Sequence, residues 1–164
     1  MAKVELKQPV VDEIKGYAAN ATSVVLVDYR GLTVAEDTEL RKKLRAAGVV
    51  YKVYKNTMLN FAFKGTAFEA LSNDLNGPTA VAFGVEDATA PARVLLECAK
   101  TMPKLEFKAG VVEGVYYDSK GIQVIGTIPS REVLISKLLG SLQAPIANLA
   151  RVLKQIAEKK EGQA

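Results

Sequence analysis

Residues 23–57 read SVVLVDYRGLTVAEDTELRKKLRAAGVVYKVYKNT, and this stretch decides the fold. Val24 to Val27 form an uninterrupted apolar run, which predicts a central strand that is covered on both faces. Val49 to Tyr54 predicts a second strand. Between them, Thr33 and Glu36 have the spacing of a capping box, so a helix is expected to begin there. A strand, a helix and a strand in succession favour an α/β protein.

The patterns on either side continue this alternation. Apolar residues recur at helical spacing after Pro9, and a turn at residues 76–78 precedes an apolar strand at residues 79–83. Pro91 opens a further helix. From Lys104 the chain alternates, which predicts a half-exposed strand with one apolar face formed by Leu105, Phe107, Ala109 and Val111. We therefore predict an α/β (α+β) fold in which a mixed β-sheet is packed with helices.

An amphipathic helical tail is predicted to follow this body. From Arg131 onward the pattern is helical, with interruptions at Gly140 and Pro145. The predicted division is a globular domain at 1–130 and a tail at 131–164. An apolar stripe begins after Pro145 and consists of Ile146, Leu149, Val152, Leu153 and Ile156. This stripe must be buried on its own body, on an anionic membrane or in a groove on partner subunits, and the pattern does not rank the first and third.

The composition excludes most classes of enzyme. The 164 residues include no histidine and one cysteine, Cys98, so His-dependent catalysis, four-Cys zinc sites and an internal disulfide are excluded. No glycine-rich phosphate loop is present. No secretory leader is apparent, and no apolar run approaches the roughly 20 residues of a membrane span. We therefore expect a cytosolic binding protein without a cofactor.

The positive charge is concentrated in one window. The chain carries a formal net charge of +4, and between residues 41 and 64 there are seven basic residues and no acidic one. Outside this window acidic residues outnumber basic ones, so the window predicts an anionic partner, with Tyr51 and Tyr54 available to stack on bases. Two other interpretations remain open. Arg41 to Arg45 end a helix, where its dipole favours cations, and the tyrosines have the alternative role of core packing.

Three motifs resemble one known family. They are Asp28-Tyr29-Arg30-Gly31-Leu32-Thr33, Val53-Tyr54-Lys55-Asn56-Thr57-Met58 and Gly77-Pro78-Thr79-Ala80. In this order they are similar to bacterial large-subunit ribosomal protein ten, the base of the ribosomal stalk. The resemblance extends over essentially the whole chain, including its length and its amphipathic tail.

The resemblance implies a cytoplasmic, ribosome-bound scaffold with two tasks. The globular domain is expected to bind large-subunit ribosomal RNA beside ribosomal protein eleven. The C-terminal helix is expected to hold dimers of the acidic seven/twelve stalk protein, which recruit translational GTPases, and the short tail favours two dimers. The family also represses translation of its own messenger. No membrane and no small-molecule substrate are implied.

The candidate contact residues come from the motifs and from charge. The motifs supply Arg30, Gly31, Lys55, Asn56 and Thr57 for RNA, and parallel pairing of the two strands that they follow would bring them together. Charge adds Arg41, Arg45 and Lys52, and more weakly Lys3 and Lys7. The candidate contacts for stalk dimers are the stripe residues Ile146, Leu149, Val152, Leu153 and Ile156.

Other interpretations of these residues stay open. A tight turn with positive φ explains Gly31 equally well, and helix capping explains Asn56. The alternative function is an α/β small-molecule-binding domain or enzyme that oligomerises through its tail, with Lys55 or Asp28 as its reactive group. Neither residue has a second titratable group at a motif-defined spacing.

Overall fold

The computed structural model describes residues 8–85 and 87–161, so the predicted RNA contacts Lys3 and Lys7 lie outside the described residues. In chain order the elements are α1 (Gln8–Asn20), β1 (Ser23–Asp28), α2 (Val34–Ala46), β2 (Val49–Val53), α3 (Asn56–Phe63), a 3₁₀ helix (Glu69–Asp74), β3 (Ala80–Gly84), α4 (Ala90–Thr101), β4 (Glu106–Val112), β5 (Val115–Asp118), α5 (Ser119–Gly126) and α6 (Arg131–Glu161).

The five strands form one sheet in the order β2-β3-β1-β4-β5. All four pairings are antiparallel. The predicted class, an α/β fold with a helical tail, is confirmed, but the expectation of a sheet of mixed direction is wrong. The direct parallel pairing of β1 with β2 that would bring the motifs together does not occur, because β3 lies between them.

Helices cover both faces of the sheet. Val25 and Val27 point into a core shared with α2, α4 and α5, whereas Val24 and Leu26 point into a core shared with α1, α3 and the 3₁₀ helix. All four side chains are fully buried. This confirms that the apolar run of β1 is a central strand covered on both faces, since both of its faces need apolar side chains.

A capping box starts α2 as predicted. The Glu36 N–H donates to Thr33 Oγ1 at 3.3 Å, and the Thr33 N–H donates to Glu36 Oε2 at 2.7 Å. Two of the backbone N–H groups that a helix leaves without partners at its start are thereby satisfied. The box sets where α2 begins and so how much chain separates β1 from the helix.

The predicted alternation of β4 is wrong because the strand contains a bulge. Leu26 pairs with Ala109, but the next residue, Val27, pairs with Phe107, so Lys108 is the extra residue. Phe107 therefore packs in the core that includes α2, and Ala109 and Val111 pack in the core on the other face of the sheet. One inserted residue reverses the alternation of side chains between the two faces. The strand is also mostly buried, not half-exposed.

The chain divides into two compact units, one ending at Ile128 and one beginning at Pro129. In the second unit α6 is one continuous helix, so the expected interruption at Gly140 and Pro145 is wrong. Within residues 131–156, α6 is long and apolar enough to cross a membrane by length and composition alone. The expectation that no segment reaches this limit is therefore wrong by composition, although Arg151 and Lys154 interrupt the apolar surface.

Candidate nucleic-acid interface

Three loops meet at one end of the sheet. Val27 of β1 and Val53 of β2 both pair with Ala80, the first residue of β3. Because each strand is antiparallel to β3, β1 and β2 run in the same direction and end at the same edge. The loops at residues 29–33, 54–57 and 75–79 therefore lie together, and we call this region the basic end of the sheet. The convergence expected from parallel pairing is found, but β3 is what produces it.

A shallow cleft of about 290 Å³ lies at the basic end. Its walls come from all three sequence motifs, and the residues are Tyr29, Val53, Tyr54, Lys55, Asn56, Thr57, Gly77, Pro78 and Thr79. The motifs that are separated in sequence thus form one continuous surface.

The loop after β1 presents Arg30 to solvent. The Arg30 N–H donates to Asp28 Oδ1 at 2.8 Å, which closes a short side-chain turn. Gly31 follows with φ of 89°, so the tight-turn interpretation of this glycine is correct as geometry. A Cβ on Gly31 would lie 3.2 Å from Cδ of Lys104. Lys104 is exposed beside this loop and was not among the predicted RNA contacts.

The first turn of α3 presents Lys55 and Thr57, which are both exposed. Lys55 is the N-cap residue and its side chain makes no capping hydrogen bond. The backbone N–H groups of this turn and the helix dipole favour an anion, and a cationic side chain beside them adds to this preference.

Asn56 does not cap α3, so the capping interpretation is wrong. Its Nδ2 donates to the carbonyl oxygens of Leu75 at 3.0 Å and of Gly77 at 2.8 Å. The side chain is half-buried and ties α3 to the loop at 75–79. Both hydrogens of the amide are used in this way.

Lys108, in the bulge of β4, holds the same loop from the other side. Its Nζ donates to the carbonyl oxygens of Asn76 at 2.6 Å and Pro78 at 2.5 Å, and to Thr79 Oγ1 at 2.9 Å. Burial lowers the pKa of the Lys108 ammonium, since desolvation disfavours its charge. Lys108 could not be predicted as a loop contact, because an alternating strand predicts an outward lysine at this position and no local signal reveals a bulge.

The basic window does not form one surface. Lys52 forms an ion pair with Glu13 on α1, and its Nζ lies 5.0 Å from the centroid of the Tyr17 ring. The hydrogen bond to Glu13 raises the pKa of Lys52, so its charge is already engaged within the chain. On α2, Arg41 donates to Asp37 Oδ2 at 2.8 Å.

The other members of the window differ in their surroundings. Arg45 is exposed on α2. Lys64 follows the last residue of α3, at the end of that helix away from the basic end. Tyr51 is buried in the core, which confirms its alternative role as a packing residue, and Tyr54 packs partly against the core on the α1 side. Membership of a charged window therefore does not predict a shared surface.

Nearly all of the α6 side chains that the structure describes are exposed. The stripe residues keep between 48% and 74% of their surface accessible: Ile146, Leu149, Val152, Leu153 and Ile156. A second exposed apolar set precedes Pro145 and was not among the predicted partner contacts: Val133, Leu134, Ile135, Leu138, Leu139 and Leu142. Exposed apolar side chains in this number are typical of a helix that binds another protein.

An α/β body with exposed cations at one end of its sheet and a helix with an exposed apolar stripe are features typical of a binding protein. The family model described as ribosomal protein L10 matches residues 2–100, and the model described as ribosomal protein uL10 C-terminal region matches residues 128–163. The large ribosomal subunit protein uL10 of Alkaliphilus metalliredigens is 52% identical over 99% of each chain. Those of Clostridioides difficile and Bacillus licheniformis are 50% and 49% identical, over 98% of this chain and 96% of each relative.

The chain therefore belongs to the ribosomal protein L10 family, and the resemblance found in the motifs is confirmed. It is a structural protein of the large ribosomal subunit and not an enzyme, and it is cytoplasmic and ribosome-bound. The alternative of an α/β enzyme or small-molecule-binding domain is thereby set aside.

Proposed function

We propose that the globular domain, residues 1–130, binds large-subunit ribosomal RNA through the basic end of the sheet. The observation that carries this proposal is the shared pairing of Val27 and Val53 with Ala80, which brings the three motif loops together. Arg30, Gly31, Lys55, Asn56 and Thr57 all belong to these loops. The RNA site lies beside ribosomal protein eleven.

The groups at the basic end suit a folded RNA. Arg30, Lys55 and Lys104 provide exposed cations for phosphates, and the first turn of α3 adds backbone donors. Thr57 offers a hydroxyl to sugar or base edges, and Tyr29 in the wall of the cleft offers a ring for an unstacked base. Arg41, Arg45 and Lys52 lie outside this cluster of loops, and in this proposal they are secondary RNA contacts. Acidic residues near this edge include Asp28, Glu106 and Glu36, the last of which is bonded to Thr33 and lies near Lys104.

The test compares charge removal at the two ends of α3. RNA affinity is measured across a range of salt concentrations for Arg30→Ala with Lys55→Ala, and separately for Lys64→Ala. Each lost phosphate contact reduces the salt slope by about 0.7 to 0.9, so the double variant is expected to lose roughly 1.5. Lys64→Ala, which removes one charge away from the basic end, is expected to leave the slope unchanged. An unchanged slope in the double variant would refute the assignment of RNA binding to this surface.

The tail, residues 131–164, holds dimers of the acidic seven/twelve stalk protein in this proposal. Support comes from the exposed apolar side chains on α6 and from cations such as Arg151 and Lys154, which suit an acidic partner. Two dimers are proposed, one for each apolar set on either side of Pro145. The stalk then raises the local concentration of translational GTPases near the ribosome, so no chemistry is needed on this chain.

Truncation before Pro145 tests the division of labour. The shortened chain is expected to bind RNA as the full chain does and to capture fewer stalk dimers, as counted by native mass spectrometry. Loss of RNA binding together with stalk capture would show that the tail supports the body, which would overturn the division.

Repression of the chain's own messenger is proposed to use the basic end as well, so the Arg30 and Lys55 double variant is expected to lose it.

A further inference from the structure

The bulge in β4 interrupts the regular pairing with β1 and redirects one side chain, that of Lys108. Leu26 pairs with Ala109 and Val27 with Phe107, which leaves Lys108 without a residue opposite it on β1. Bulges interrupt a ladder and redirect the inserted side chain, and they concentrate near functional sites. Here the redirected side chain is the ammonium group that reaches the loop at 75–79.

Two side chains, those of Lys108 and Asn56, hold that loop from opposite sides and use all of their N–H hydrogens to do so. Lys108 Nζ has three hydrogens, and it makes three hydrogen bonds, to Asn76, Pro78 and Thr79. The amide of Asn56 has two hydrogens, and it makes two hydrogen bonds, to Leu75 and Gly77. Neither group has a donor left for a phosphate. Five acceptors in five consecutive residues are thus bound by two side chains from different elements.

We propose that Lys108 and Asn56 are positioning residues for RNA binding, which together hold the loop 75–79 in the shape that completes the basic end. The β4 bulge delivers Lys108 to this loop. This inference rests on the proposed function, because the loop forms a wall of the cleft between the RNA-binding motifs. Asn56, which the motif predicted to be an RNA contact, is in this proposal a support for the residues that make contact.

A positioning residue and a direct phosphate contact differ in how their loss changes the salt dependence of RNA affinity. A lysine that contacts phosphate contributes counterion release, so its loss reduces the salt slope by about 0.7 to 0.9. A lysine that only shapes a loop has no phosphate contact to lose, so RNA affinity falls while the slope stays. Hydrogen exchange at the Asn76 amide, which donates to the Asp74 carbonyl oxygen at 2.9 Å, reports the loop itself and needs no RNA.

The experiment uses the full chain with Lys108→Met, which keeps the length of the side chain and removes its donors. We expect RNA affinity to fall roughly tenfold with an unchanged salt slope, and amide exchange in the loop to accelerate. Lys64→Met is the matched control and is expected to change none of these. If Lys108→Met does not fold, Thr79→Val removes one acceptor at nearly constant volume and is expected to show the same pattern more weakly. Asn56→Ala combined with Lys108→Met is expected to cost less than the sum of the two single changes, because both hold one loop.

Two results would overturn the proposal. A reduced salt slope with unchanged loop exchange would make Lys108 a direct phosphate contact. Faster loop exchange with unchanged RNA affinity would show that the loop takes no part in binding. The Arg30 and Lys55 double variant separates this inference from the one on which it rests. If that variant binds RNA normally, the basic end is the wrong surface. If the double variant binds RNA weakly while Lys108→Met binds normally, the positioning role is refuted and the basic end remains the RNA-binding surface.

Discussion

Arg41 and Lys52 belong to one run of basic residues in the sequence, but they lie over opposite faces of the sheet. The Arg41 guanidinium lies 5.3 Å from the centroid of the Tyr51 ring, on the α2 side, and the Lys52 ammonium lies over Tyr17 on the α1 side. Tyr51 and Lys52 are successive residues of β2, so their side chains point to opposite faces of the sheet. Arg41 lies over the ring of Tyr51, and it is therefore on the other face from Lys52. The two cations therefore cannot be treated as one RNA-binding patch.

The first prediction concerns Lys52. Its ion pair with Glu13 already satisfies its charge, so Lys52→Ala is expected to reduce the salt slope of RNA binding by less than half of the reduction caused by Lys55→Ala. Salt titrations of the two single variants check this. Equal reductions would mean that the Glu13 pair opens in the complex and that Lys52 meets a phosphate.

The second prediction concerns acid stability. Hydrogen bonds from the Thr33 backbone and hydroxyl lower the pKa of Glu36 below its ordinary value of 4.5. A carboxyl whose folded pKa is lowered stabilises the fold above the unfolded pKa, and this contribution is lost as pH falls through the folded pKa. The urea midpoint is therefore expected to drop less between neutral pH and about pH 3 in Glu36→Gln than in the unchanged chain. A larger drop in the variant would contradict the role of the capping box.

The third prediction uses two glycines with different surroundings. A Cβ on Gly110 would lie 2.8 Å from Cδ1 of Ile122 and 2.9 Å from the Val24 carbonyl oxygen, so Gly110→Ala is expected to cost about 1–3 kcal/mol of unfolding free energy. Gly16 lies in α1 with open space around it, and Gly16→Ala is expected to stabilise by about 0.5–1 kcal/mol. Urea unfolding of both variants measures the difference. A neutral Gly110→Ala would show that both α5 and the β1 backbone at Val24 can move away from this position.

The fourth prediction separates binding from stability on α6. Leu149 keeps 62% of its surface accessible, so Leu149→Asp is expected to leave the unfolding of the globular domain unchanged. Stalk-dimer capture is expected to fall tenfold or more, on the order of the loss of a central apolar contact. Gln155→Asp adds the same charge off the stripe and is the control. Equal losses in both variants would attribute the effect to charge and not to the apolar stripe.

Local patterns were enough to predict most elements. The run at 24–27 gave a buried strand because its neighbours in sequence leave no polar face, and the capping box of Thr33 and Glu36 marked a helix start because both partners lie within one turn. The three motifs also identified the loops that meet at the basic end. These features depend on residues a few positions apart.

The departures from prediction depend on residues far apart in the chain. The insertion of β3 between β1 and β2, and the bulge that redirects Lys108, follow from how strands separated by many residues pair and pack. The continuous course of α6 through Pro145 could not be predicted from the proline alone, since a helix can tolerate one missing hydrogen bond.

The sequence by itself determined the class of fold, the family and the loops that carry its motifs, because these depend on residue type and local spacing. Only the tertiary structure decided which of the cations share a surface, that Lys52 is already paired with Glu13, and that Asn56 and Lys108 donate their hydrogen bonds to the loop at 75–79. The physical reason is that a hydrogen bond or an ion pair depends on distance in space, and strand order and register alone set that distance for residues far apart in the chain.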